Sequence, residues 1–167
     1  IPFYPAKPAP TEQNELDIAV AQVKEGSNLK AGIPRLTGLI RRYHPAQPGY
    51  YSDLAEALGT AGDRAQSEQY YNEALRRAPN STVIMLKFAN AQLEWQQFAK
   101  AEALLRRAVA LAPRDPVAWG LFGQSLFQQG KSAEAKTALN KALALDPKAI
   151  AAYLNRGVRT VRRWEND

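Results

Sequence analysis

Cysteine is absent from this 167-residue chain, and histidine and methionine occur once each. The first absence excludes disulfides and thiolate metal sites, and it suits either redox compartment. With His44 alone there is no second imidazole for acid and base work, no Cys–His pair and no metal cluster of the usual ligand spacing. No apolar run approaches the roughly 18 to 20 residues that cross a bilayer, so no membrane span is expected. Strict alternation bounded by turn dipeptides is also missing, which argues against strands. Gly59 and Gly62 stand too close together for a phosphate-cradling loop and are followed by Asp63 and Arg64, so they read as a turn between helices. The carboxylates Glu94, Glu102, Asp115 and Glu134 are expected on helix surfaces and in turns. The chain therefore reads as non-enzymatic, with no catalytic residue, no metal and no cofactor.

What is present is a period. Pro45, Pro79, Pro113 and Pro147 are spaced 34 residues apart. A fixed period of this size marks stacked supersecondary units, each too small to bury its own apolar face. In the last full unit Trp119, Phe122, Gly123 and Leu126 are followed by Ala135, Leu139, Ala142 and Pro147. One period earlier stand Met85, Phe88, Ala89, Gln92, Ala101, Leu105, Ala108 and Pro113. Two periods earlier stand Tyr51, Leu54, Ala55, Leu58, Ser67, Tyr71, Ala74 and Pro79. Size class is kept at nearly every position. Gln92 replaces a large residue, Ser67 replaces an alanine, and Gln96 stands where Gly62 and Gly130 mark the other turns.

Each unit can be built from helix rules. In residues 116–149, Trp119, Phe122, Leu126 and Phe127 share one helical face. Asp115 is positioned to cap that helix, with Pro116 in its first turn. Gly130 ends it, and Ser132 is expected to cap a second helix whose buried stripe is Ala135, Ala138, Leu139, Ala142 and Leu143. Asp146-Pro147 closes the unit. Small residues at Gly123, Ala135 and Ala142 let the two backbones approach. The product is an all-α array of antiparallel helix hairpins, an α-solenoid.

This pattern resembles the tetratricopeptide repeat, strongly over residues 48–81, 82–115 and 116–149. Residues 14–47 read as a degenerate first unit, in which Asp17 takes the aromatic position, Val20, Ala21 and Pro45 fit, and Ile33, Thr37 and Ile40 do not. Residues 150–167 restart with Tyr153 and Gly157 and read as a C-terminal capping helix. Residues 1–13 read as a Pro-rich linker around Phe3 and Tyr4. The start at Ile rather than Met, without a signal peptide, reads as a domain cut from a longer chain. The resemblance implies a right-handed superhelix whose first helices line a concave groove for extended peptides or partner helices. At roughly 100° per residue, the positions on that face are Ser52 and Glu56, then Leu86, Asn90 and Leu93, then Val117, Gln124 and Phe127, then Leu154, Val158 and Val161. The expected partner-binding set is Leu86, Asn90, Leu93, Val117, Gln124, Phe127, Leu154 and Val158, an apolar strip with Asn90 positioned to bond a ligand backbone. The Lys, Asn and Arg clamp by which some family members grip a C-terminal carboxylate is absent.

Function follows as a protein-interaction scaffold for a peptide or partner domain. The alternatives are a self-association module, giving a homo-oligomer, and a helper domain of a larger bacterial enzyme or electron carrier, to whose C-terminal parts such repeats are similar. A soluble domain is expected, in the bacterial cytoplasm or exported within a longer chain. The net charge of +6 raises nucleic acid as a partner. Arg41-Arg42, Arg76-Arg77 and Arg106-Arg107 instead fall toward the ends of second helices, where cations oppose the helix dipole. Nucleic acid is accordingly disfavoured.

Overall fold

Single residues set the helix starts. Asn28, Asp63, Ser81 and Asp115 each precede a helix and accept a backbone N–H, from Ala31, Gln66, Ile84 and Val117 respectively, and Asp115 accepts from Ala118 as well. Pro48 and Pro116 occupy first turns, where a missing N–H costs nothing. The computed structural model describes residues 11–24 and 28–148. Eight helices and no strand occur among them: α1 (Glu12–Lys24), α2 (Leu29–Tyr43), α3 (Pro48–Thr60), α4 (Arg64–Arg77), α5 (Thr82–Glu94), α6 (Phe98–Leu111), α7 (Pro116–Gln128) and α8 (Ser132–Leu145). The all-α class expected from the period is what is found. Helix α1 begins at Glu12, inside the segment read as linker; the capping helix expected at 150–167 lies outside the described residues.

Ser132 does not cap α8. The helix starts at Ser132 itself, Lys131 takes the cap position, and no side-chain cap bond forms. The cause is the tight turn before it, where the N–H groups of Gly130 and Lys131 donate back to Phe127 and Leu126 at 2.9 and 3.0 Å. Equivalent turns have Gly62 at φ +91° and Gly130 at φ +75°, whereas Gln96 is held at φ +61°. A side chain in this left-handed region costs about 1 kcal/mol. Gln96→Gly should therefore raise the urea midpoint, by about 1 kcal/mol of stability followed by circular dichroism, while Gly130→Ala should lower it.

The described residues divide into two compact units, one up to Pro79 and one from Asn80. In the first, α1 packs on α2 and α3, α2 packs on α3, and α3 packs on α4. Ser67, the expected exception at a small position, is fully buried and donates its hydroxyl to the Ala55 carbonyl at 2.6 Å, which satisfies it. The first hairpin corrects its expected register. Asp17 and Ala21 are exposed, and the buried residues are Leu16, Ala19, Val20 and Val23 on α1 with Gly32, Leu36 and Ile40 on α2. Leu36 thus stands 35 residues before Tyr71, while Tyr71 stands 34 before Leu105. The reason is one added residue. Helix α2 has 15 residues where α4, α6 and α8 have 14; the period is back by Ile40, which stands 34 residues before the buried Ala74, and the helix is capped by His44 in the left-handed conformation, φ +47°.

In the second unit, consecutive helices pack in pairs, and α7 contacts both α5 and α6. Its core joins Ala89, Leu105, Leu121, Phe122, Leu126 and Ala135. Leu143, expected in the buried stripe of α8, is instead 41% exposed; Val109, its equivalent one period earlier, belongs to the core shared with α7. Arg41-Arg42 and Arg76-Arg77 do occupy last turns, but Arg106-Arg107 lies in mid-helix, and the last turn of α6 has no basic residue. Arg106 is there for another reason, given below.

Candidate functional site

The face expected to bind a partner is formed in the second unit by α5 and α7, which pack side by side. Leu86 on α5 and Val117 and Phe127 on α7 are half-buried, with their inner parts packed against the core. Asn90 and Gln124, at matching positions of the two helices, are also half-buried and add amide groups to the same face. The Asn90 amide donates to the Glu94 carboxylate at 3.0 Å, one turn on, which orients it along the helix. Leu93 departs from the expected exposed strip: at 7% exposure it is a core residue. Leu154 and Val158 lie outside the described residues. In the first unit Ser52 is buried, its hydroxyl donating to the Gly49 carbonyl at 2.9 Å, while Glu56 is exposed.

The sequence reading passed over Val83. It is the most exposed large apolar residue described, at 65%, and it stands one period before Val117. That spacing was the available signal.

The same unit carries a charged cluster. Glu102, expected on a helix surface, is only 9% exposed. Its carboxylate accepts from Lys131 at 2.7 Å, Arg106 at 2.7 Å and the Gln129 amide at 2.8 Å. The Lys131 and Arg106 hydrogen bonds, in that order, hold its carboxyl down to about 2. Arg106 is also stacked over the Phe122 ring, 5.3 Å from its centroid. The cluster joins α6, the end of α7 and the start of α8, fixing the frame that carries Gln124 and Phe127. Among the described residues, no group of three or more His, Asp or Glu could hold a metal ion, and no helix is long and apolar enough to cross a membrane.

Tetratricopeptide-repeat profiles match residues 16–82 and 58–124, and a TPR-repeat profile matches residues 123–158. The chain belongs to the tetratricopeptide-repeat family. No curated protein matches it. Among solved structures it is similar to MamA, residues 41 to the end, from Desulfovibrio magneticus RS-1, with a TM-score of 0.74 at 21% identity over 93% of this chain and 88% of that one. A MamA structure from MSR-1 gives 0.70 at 18% identity over 87% and 82%, and Pseudomonas aeruginosa pilF gives 0.70 at 18% over 87% and 68%. At these identities the likeness establishes the tetratricopeptide fold alone. Within that fold the small-residue positions Ala55, Ala89 and Gly123 are buried, as the family pattern requires.

Proposed function

We propose that this chain is a protein-interaction scaffold that holds an extended peptide or partner domain along the face of its first helices. The observation that carries this reading is the pairing of α5 and α7, with half-buried Leu86, Val117 and Phe127 flanking the amides of Asn90 and Gln124. An extended ligand needs apolar contacts for affinity and donor–acceptor groups to match its own backbone. An asparagine and a glutamine on adjacent helices supply the second without adding charge. Leu93 supports the face from beneath, and Leu154 and Val158 continue the same register. Family membership supports a binding role over a catalytic one.

The test is to select binders from a random extended-peptide library on the whole chain, then measure their affinity for Asn90→Arg and Gln124→Arg by titration calorimetry. Both positions are half-buried polar sites, so the core is spared. Each arginine should weaken the selected peptides about tenfold or more by filling the face. Unchanged affinity in both variants would remove this face as the binding site.

A further inference from the structure

Helix α2 differs in charge from the other second helices. Helices α4, α6 and α8 each hold a carboxylate, and Arg76, Arg77 and Arg106 are paired with one. Helix α2 holds Lys30, Arg35, Arg41 and Arg42, and no Asp or Glu occurs from residue 28 to residue 52. All four cations are exposed, and among the described residues none is ion-paired. Arg35 donates to the Gln22 amide oxygen at 3.2 Å, and Arg42 lies 5.1 Å from the centroid of the Tyr43 ring. Glu12 and Glu15 of α1 lie toward Tyr43 at one edge, and two carboxylates do not offset four cations. We infer that the outer face of α2 docks an acidic amphipathic helix of a partner protein. This goes beyond the peptide face proposed above, which belongs to first helices.

Three residues on this face weaken the helix that carries them. Lys30 sits in the first turn, at the positive end of the helix dipole, where a cation is unfavourable. Pro34 stands inside the helix and has no N–H to give the Lys30 carbonyl. Gly38 is exposed, with nothing within 4 Å of a Cβ placed there, so no close approach within the chain calls for a glycine. Packing within the chain gains nothing from any of the three. Local rules broken without a gain in stability point to a surface kept for binding.

The geometry selects a helix. At roughly 100° per residue, Ala31, Pro34 and Gly38 fall within about 60° of one another, with Lys30 and Arg41 on one flank and Arg35 and Arg42 on the other. These compact residues are spaced three and four apart, the spacing at which two helices meet. Such a floor lets a partner backbone come close and leaves room for larger apolar side chains from its side. Arg35 and Arg42 are separated by two helical turns, about 10.5 Å along the axis, and carboxylates one heptad apart on a second helix repeat at the same interval. A bilayer is a poor match, because no exposed large apolar residue stands on α2 to insert. Nucleic acid is another, because the face has no exposed Phe, Tyr or Trp on which a base could stack.

The probe is a capped peptide of three heptads, with leucine at a and d and glutamate at e and g. It is titrated into the whole chain by fluorescence anisotropy and amide NMR, beside a scrambled peptide of the same composition. The heptad peptide should bind saturably, shift the amides of Ala31, Arg35, Gly38 and Arg42, and weaken with added salt. The scramble should bind at least about tenfold less tightly. Arg35→Gln combined with Arg42→Gln should weaken the heptad peptide about three- to tenfold. Gly38→Leu should also weaken it, by filling the floor at a position where the fold has open space. Library peptides selected on α5 and α7 should bind both variants unchanged. Equal binding of the scramble, unchanged affinity in both variants, or shifts confined to other residues would each overturn the inference. So would a thymidine oligonucleotide or phosphatidylserine vesicles shifting the α2 amides where the heptad peptide does not. Self-association of the chain alone, seen by light scattering and abolished by Gly38→Leu, would assign the face to a second copy and overturn it as well.

Discussion

Gly123→Ala should destabilise the chain by about 1 to 2 kcal/mol, read as a lowered urea midpoint by circular dichroism, whereas Gly38→Ala should stabilise it by up to about 1 kcal/mol. The same substitution takes opposite signs because of what each new methyl group would meet. At Gly123 a Cβ would lie 2.5 Å from Leu139 Cγ, 2.8 Å from Leu139 Cδ2 and 3.3 Å from the Ala135 carbonyl oxygen. Leu139 cannot relieve this by swinging its tip alone, because Cγ sits next to its own backbone, and the Ala135 oxygen moves only if α8 moves. Overpacking of this kind costs about 1 to 3 kcal/mol, which exceeds the gain of roughly 1 kcal/mol from placing alanine instead of glycine in a helix interior. At Gly38, exposed on α2, nothing lies within 4 Å of the added methyl, so only the propensity gain remains. Gly123→Val, with two further carbons and weaker helix propensity, should be worse than alanine. A stabilised Gly123→Ala would mean that the α7–α8 contact yields by several tenths of an ångström at little cost.

Glu102 should make the chain sensitive to acid. Lowering its carboxyl from 4.5 to about 2 corresponds to roughly 3 kcal/mol. Solvent screening reduces this to about 2 kcal/mol, since Lys131 and Arg106 are 41% and 60% exposed. The group is more acidic folded than unfolded, so its stabilisation is present above pH 4.5 and is lost as pH falls from there toward 2. Glu102→Gln should be about 2 kcal/mol less stable than wild type at pH 7, with the gap closing by pH 2, in urea titrations at each pH. A gap that stays constant across this range would assign the loss to packing rather than to charge.

Legibility in the sequence followed the range of the interactions. Pro79, Pro113 and Pro147, Asp115 as a cap and Gly130 as a turn all act within a few residues of themselves, and local pattern was enough to read them. Glu102 was read as a surface carboxylate because its partners Gln129 and Lys131 are 27 and 29 residues away. Nothing in the heptad around it distinguishes it from the exposed Glu134. Leu93 and Phe127 hold matching positions one period apart, yet one is buried and the other half-buried; a repeat register predicts which side of a helix a residue occupies, not how deep its neighbours leave it. Leu143 shows the same limit against its equivalent Val109. The register of the first hairpin was misread because Pro45 and the end of α2 keep the 34-residue period while α1 and the start of α2 run at 35. Leu16 and Leu36, large residues at large positions, were legible only after the slip was allowed.

That slip bears on how the array can be recombined. A helix turns about 100° per residue, so an exchange of modules joined at Pro45 would bring in a 14-residue second helix whose buried Ala74 lands on the position of Ile40 while its earlier buried positions rotate away from Gly32 and Leu36. The prolines look like interchangeable seams, but the first one is keyed to its own hairpin by the one residue added between Leu36 and Ile40. Shuffling is open to the units that follow it; the opening hairpin moves only with its own terminus attached.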